Sequence, residues 1–267
     1  LEESLSGGAL GISLGLGYAP ECFYTTQELI AALAPLRDSG VPITVHMRQE
    51  GAGVVEALKE MLTVARALRT PVHISHLKSI GKAYWGRYMP EMLALLTRAR
   101  EDGLDVSCDL YPYTAGSTQL IHVLPPEAQE GGLDTLTQKL RVPEFRAAMR
   151  ERMRTGTDFE NLSLLVGWEN IDVSTVTREE NRRFVGRSVA EISAAEGVDP
   201  FDFTFDLLAS ESCAVTMIDR ITANEDICAA LRAPFSSVIS DATYPTSGLL
   251  HPRVYGNCAH LLEEYVR

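Results

Sequence analysis

Apolar residues along this chain fall into two alternating patterns. Short runs of apolar and β-branched residues, bounded by glycine or proline, alternate with longer stretches whose apolar positions recur every three or four residues. The run "ALGISLGLG" (9–17) reads as a strand, followed by a helix over "TTQELIAALAPLRDSG" (25–40). In that helix Thr25 and Glu28 have capping-box spacing, Leu29, Ile30, Leu33 and Leu36 form the stripe, and Gly40 marks the stop. "PITVHM" (42–47) and "PVHISHLK" (71–78) read as the next strands, with "GVVEALKEMLTVARALRT" (53–70) and "MPEMLALLTRARED" (89–102) as the helices behind them. "LDVSCDLYPY" (104–113) is a fourth strand.

The rhythm then breaks. Residues 124–160 are polar and mostly helical, "LSLLVGW" (162–168) reads as a strand, and 173–187 as an exposed connection. Helices are expected from Ser188, with Glu191 completing a capping box, and from Asp199-Pro200. "CAVTMI", a helix over "NEDICAALRA", and "SSVISD" (236–241) make a final βαβ unit.

Apolar strands alternating with amphipathic helices predict a parallel sheet covered by helices. A closed eightfold barrel takes about 250 residues. Some 60 residues here lie in the polar middle section and five strands are clear, so the expected fold is an incomplete (β/α)8 barrel with a helical covering insertion. The alternative is an open doubly wound sheet, but no glycine-rich phosphate loop opens a helix. The expected organisation is one partial barrel domain over 1–267, with 118–187 as a lid.

Composition narrows the function. A formal charge of −12 without clustered Lys or Arg argues against nucleic acid, and no apolar run approaches the roughly 20 residues of a membrane helix. Five scattered cysteines without a CxxC pair suggest reduced thiols in the cytoplasm. The chain opens on Leu1, with no signal-peptide pattern, and reads as an internal piece of a longer polypeptide.

Functional groups in parallel α/β folds gather at the C-terminal ends of strands. Those positions hold His46, His76, Asp109 with Tyr111, and Asp241. His73 and His76 differ by three, so a continuous strand would point them to opposite faces; His76 is expected to face the site and His73 the helices. Two imidazoles and a carboxylate on neighbouring strand ends suit an open site for zinc or a similar cation, where bound water loses its proton near pH 7. Asp241 is placed to take that proton.

"GALGISLGLGYAP", "HMRQEG", "ISHLK", "DLYPYTAGST" and "SDATYPTSGLLHPRVYG" occur in the order seen in N-acyl-D-amino-acid deacylases, which the chain resembles; these belong to the metal-dependent amidohydrolase superfamily. The resemblance implies that His46 and His76 bind zinc and that Asp241 is the catalytic acid–base group. It also implies that Arg253 holds the substrate carboxylate, for which a guanidinium fork is well shaped. Lys78, Tyr18, Tyr111 and Ser117 would lie near the substrate, with Arg48 and Glu50 orienting the ligands from behind. The implied substrate is a small N-acyl amino acid, with a cyclic amide or a catalytically silent chain as alternatives, and exposed barrel edges imply self-association. The HxH strand and metal-bridging cysteine with which such relatives begin are absent from this sequence, and Asp241-Ala242 replaces the usual "SDG".

Overall fold

A computed structural model describes residues 1–245 and 247–267; Thr246, in the last of the motifs above, lies outside the described residues. Among them are eight strands: β1 (Ile12–Gly15), β2 (Ile43–His46), β3 (Val72–Ile74), β4 (Val106–Leu110), β5 (Ala115–Gln119), β6 (Ile171–Thr175), β7 (Thr216–Arg220) and β8 (Ser236–Val238). The chain divides into two compact units, one of residues 1–79, 84–111 and 223–239, the other of residues 80–83, 112–222 and 240–267.

The first unit holds an open five-stranded parallel sheet of order β1-β2-β3-β4-β8, as an incomplete barrel requires. Its crossover helices bury the stripes read from the sequence. Helix Val54–Leu68 buries Val54, Leu58, Met61, Leu62, Ala65 and Leu68, and helix Met89–Glu101 buries Met89, Met92, Leu96 and Ala99. Register sets the two faces of the sheet. Ile12, Ile43, Val72 and Val106 align across four strands, and so do Leu14, Val45, Ile74 and Cys108. Between these apolar rows runs a polar one, Ser13, Thr44, His73 and Ser107, with His46 and Asp109 on the same face nearer the C-terminal ends.

That register corrects the expectation for His73, which lies on the polar face with Thr44 and not towards the helices. The spacing argument fails because β3 ends at Ile74: His76 stands past the strand in a turn, with φ of 40°. Both capping boxes form, at Thr25/Glu28 and at Ser188/Glu191. The first helix nevertheless stops at Ala32, short of Gly40, and continues as a 3₁₀ turn over Ala34–Leu36. Pro35 has no N–H to donate and biases Ala34 away from helical geometry.

The second unit is built on an antiparallel sheet of order β5-β7-β6. Around it lie helices Gly132–Lys139, Pro143–Thr155, Leu162–Val166, Val189–Glu196 and Pro200–Ser210. Its core includes Leu120, Leu136, Val173, Phe205 and Met217, all fully buried. Three expectations change here. "LSLLVGW" forms a short helix capped by Asn161, the supposed connection at 173 continues the buried strand β6, and "CAVTMI" supplies β7 to this sheet and not to the parallel one. Short apolar runs do not distinguish helix from strand, nor parallel from antiparallel pairing. The segment 118–187 falls wholly inside this unit, which extends beyond it on both sides.

Leu58 is fully buried behind the parallel sheet. Leu58→Ala is expected to lower unfolding free energy by about 2–5 kcal/mol, measured by urea denaturation.

Candidate metal centre

The C-terminal ends of β2 and β3 bring His46, Glu50 and His76 together, with one ligand atom from each within 4.8 Å of the others. His46 is the last residue of β2. His76 reaches it from the turn after β3, and Glu50 from the loop after β2. His46 Nδ1 and His76 Nε2 face each other at 3.1 Å. Two nitrogens bound to one tetrahedral zinc at 2.0–2.1 Å stand about 3.3 Å apart, so the imidazole pair has the spacing of two corners of such a site. The donor set therefore fits a divalent transition metal.

The surrounding groups fix those rings. Tyr18 stacks on His46, with ring centroids 4.4 Å apart at 29°. A Cβ on Gly17 would meet His46 Nε2 at 2.6 Å, so glycine there lets the loop after β1 close over the ring. Behind His76, Nδ1 lies 3.1 Å from Glu50 Oε1 and 2.7 Å from Lys78 Nζ. Lys78 also donates to both Glu50 oxygens, at 2.8 and 2.9 Å. An ammonium can only donate, so Nδ1 accepts from Lys78 here and the ring proton sits on Nε2, facing His46 Nδ1. A cation at Nε2 would displace that proton to Nδ1, on the Glu50 side. Burial pushes the Glu50 carboxyl up, but Lys78, then His46 and His76, outweigh it and hold the group well below the usual carboxylate range. Tyr111 is buried, and Lys78 Nζ lies 5.7 Å from its ring centre.

Arg48 points elsewhere. Its guanidinium pairs with Glu60 at 2.9 Å and donates to the Cys22 and Tyr24 carbonyls, tying the loop after β1 to helix Val54–Leu68. Asp109, on the polar face of β4, accepts from the His76 backbone N–H and from His73. From the sequence Asp109 is expected at a strand end without an assigned role, and His73 outside the site; the signal that joins them is their shared face, visible only once the register is known.

The second unit brings Asp241, Arg253 and Ser117 together. Asp241 has φ of 48° and forms an ion pair with Arg253 at 3.0 Å. The Arg253 guanidinium is buried and also donates to the Ser117 carbonyl, while Ser117 Oγ donates to Met217 across β5 and β7. Arg253, expected to await a substrate carboxylate, thus neutralises Asp241 in this structure. His251 accepts from the Arg253 amide at Nδ1, and its Nε2 donates to the Ala115 carbonyl at 3.0 Å. One nitrogen accepts and the other donates, which is a neutral ring; burial, followed by the Arg253 charge, lowers its pKa to about 4.

No family model matches the chain. It is 44% identical over 119 residues to a D-aminoacylase of Alcaligenes xylosoxydans xylosoxydans, an alignment covering 45% of this chain and 24% of that protein. It is 40% identical over 123 residues to an N-acyl-D-glutamate deacylase of the same organism, covering 45% and 25%. Among solved structures, the N-acyl-D-glutamate deacylase of Bordetella bronchiseptica, complexed with zinc and a phosphonate inhibitor that mimics the reaction's tetrahedral intermediate, superposes with a TM-score of 0.74 at 25% identity. That superposition covers all of this chain and 46% of the other, so the chain spans about half the length of that relative. The fold is that of the solved D-aminoacylase amidohydrolase structures. Within that class the chain is a relative of the D-aminoacylases and N-acyl-D-amino-acid deacylases, as its motifs imply.

This geometry is open to two measurements. Gly17→Ala is expected to displace the His46 ring from Tyr18, read as a change in the His46 ring-proton NMR shifts, and to cost about 1–3 kcal/mol from overpacking. His251 has its pKa lowered from 6.5 to about 4, so the unfolded chain binds the extra proton first. Its stabilising contribution is complete above pH 6.5 and is lost as pH falls towards 4; urea midpoints across that window are expected to fall less steeply in His251→Gln.

Proposed function

We propose that the polypeptide carrying this chain hydrolyses the amide bond of N-acyl-D-amino acids, using bound zinc. The observation that carries this reading is the His46–Glu50–His76 cluster, with Glu50 and His76 buried and His46 half-buried, at the strand ends of a chain related to D-aminoacylases. His46 and His76 would hold the ion, which would lower the pKa of a bound water molecule to about 7 and supply a Lewis acid for the acyl oxygen.

The chain's own groups do the remaining work. Glu50 keeps His76 in the tautomer that offers Nε2, and Lys78 balances the Glu50 charge. Tyr18 covers one face of His46, and Arg48 steadies the loop that carries Tyr18. Asp241 takes the proton of the attacking water and passes it to the leaving amine. Arg253 receives the substrate carboxylate, assisted by Tyr111 and the Ser117 region; its present partner is Asp241, so an incoming carboxylate competes with Asp241 and releases it as a base. The segment 118–187 is the insertion that covers a bound substrate. No helix among the described residues is long and apolar enough to cross a membrane. With all five cysteines free, we assign the protein to a reducing compartment, the cytoplasm.

Elemental analysis of the purified polypeptide, with hydrolysis of N-acetyl-D- and N-acetyl-L-amino acids, tests the proposal. Stoichiometric divalent metal and faster turnover of the D-substrates are expected. Asp241→Ala is expected to lower kcat by about 10²–10⁴-fold, the usual contribution of an acid–base group. Undiminished turnover by Asp241→Ala overturns its role, and absence of both metal and turnover overturns the function while leaving the fold in place.

A further inference from the structure

A second hydrogen-bonded chain runs along the polar face of the parallel sheet, behind the candidate ligands. His73 and Ser107 are register partners on β3 and β4, with Ser107 Oγ 2.7 Å from His73 Nδ1. His73 Nε2 lies 2.7 Å from Asp109 Oδ2. A carboxylate can only accept, so Nε2 carries the proton and Nδ1 accepts from the serine hydroxyl. The other carboxylate oxygen of Asp109, Oδ1, accepts from the backbone N–H of His76. Asp109 is buried at 6% exposure, and its two oxygens hold two different residues, one in β3 and one in the turn beyond it.

The backbone at this amide is unusual. His76 has φ of 40°, a left-handed conformation that non-glycine residues adopt infrequently. That conformation turns the imidazole back towards His46; in extended backbone the side chain would follow the strand's alternation instead. The carboxylate grips the N–H of the residue whose backbone is displaced. We propose that Asp109 is a positioning residue for His76, holding the left-handed turn that presents its Nε2 beside His46 Nδ1, and that His73 and Ser107 hold Asp109 in place. The proposal rests on reading His46 and His76 as metal-holding groups and adds to it a support supplied by the neighbouring strand.

Two variants and two readouts test it. In Asp109→Asn the side-chain carbonyl can still accept from the His76 N–H while the amide donates to His73, whose tautomer shifts; in Asp109→Ala nothing replaces the carboxylate. Cobalt(II) affinity and the cobalt visible spectrum report the ligand geometry. Asp109→Ala is expected to bind about 10–100-fold more weakly with an altered spectrum, and Asp109→Asn to stay within about threefold of wild type. Hydrogen exchange of the His76 amide reports the turn without metal. Its protection is expected to fall about tenfold in Asp109→Ala, the scale of one hydrogen bond to a charged group, and to persist in Asp109→Asn. Wild-type cobalt affinity and wild-type exchange in Asp109→Ala overturn the proposal, as does equal loss in both variants. A wild-type protein that binds no cobalt overturns the metal reading, and the exchange measurement then decides the positioning role by itself.

Discussion

The alternation of side chains across the parallel sheet is the constraint on which the site depends. Ile43, Val45, Val72, Ile74 and Val106 are all but completely buried on one face. A slip of one residue in any strand would put them on the polar face and carry the polar row into the helices. Burial of the apolar rows therefore fixes register, and register lines up Thr44 with His73, His73 with Ser107, and Gly15 with His46. The hydrophobic core places the chemistry although none of its residues takes part in it.

Beyond the strand ends the problem changes from register to charge. Glu50 and Lys78 are both nearly inaccessible, at 3% and 6% exposure. An isolated buried ion would cost several kcal/mol, so each requires the other. Their pairing leaves the two imidazoles as the groups with donor capacity for a cation, and it sets a Glu50 oxygen 3.1 Å from His76 Nδ1.

Much of this is readable in the sequence. His46 and His76 stand out because they end strand-like runs, and the capping boxes at Thr25 and Ser188 and the stripe of helix Val54–Leu68 follow from local chemistry. Pairing is what the sequence leaves open. "CAVTMI" looks the same whether its neighbours are parallel or antiparallel, and it joins β5 and β6. The spacing argument misplaces His73 because three-residue separation orients side chains only within a continuous strand, and β3 stops at Ile74. Asp109 stands out by its strand-end position, but its partner His76 lies 33 residues away and becomes its neighbour only through the β3–β4 pairing.

Two of the residues singled out for chemistry, His76 and Asp241, share a backbone property that no motif announces. Both occupy left-handed conformations, at φ of 40° and 48°, although neither is glycine. Such positions cost on the order of 1–3 kcal/mol and persist where surroundings over-determine them. Each is held by a charged partner. The Asp109 carboxylate accepts from the amide of His76, and the buried Arg253 guanidinium pairs with the side chain of Asp241. Of the six non-glycine residues with positive φ among the described residues, these two are candidate functional groups, one in each unit. At these two the left-handed backbone aims a side chain, and in each unit the residue that holds the aim is a charge.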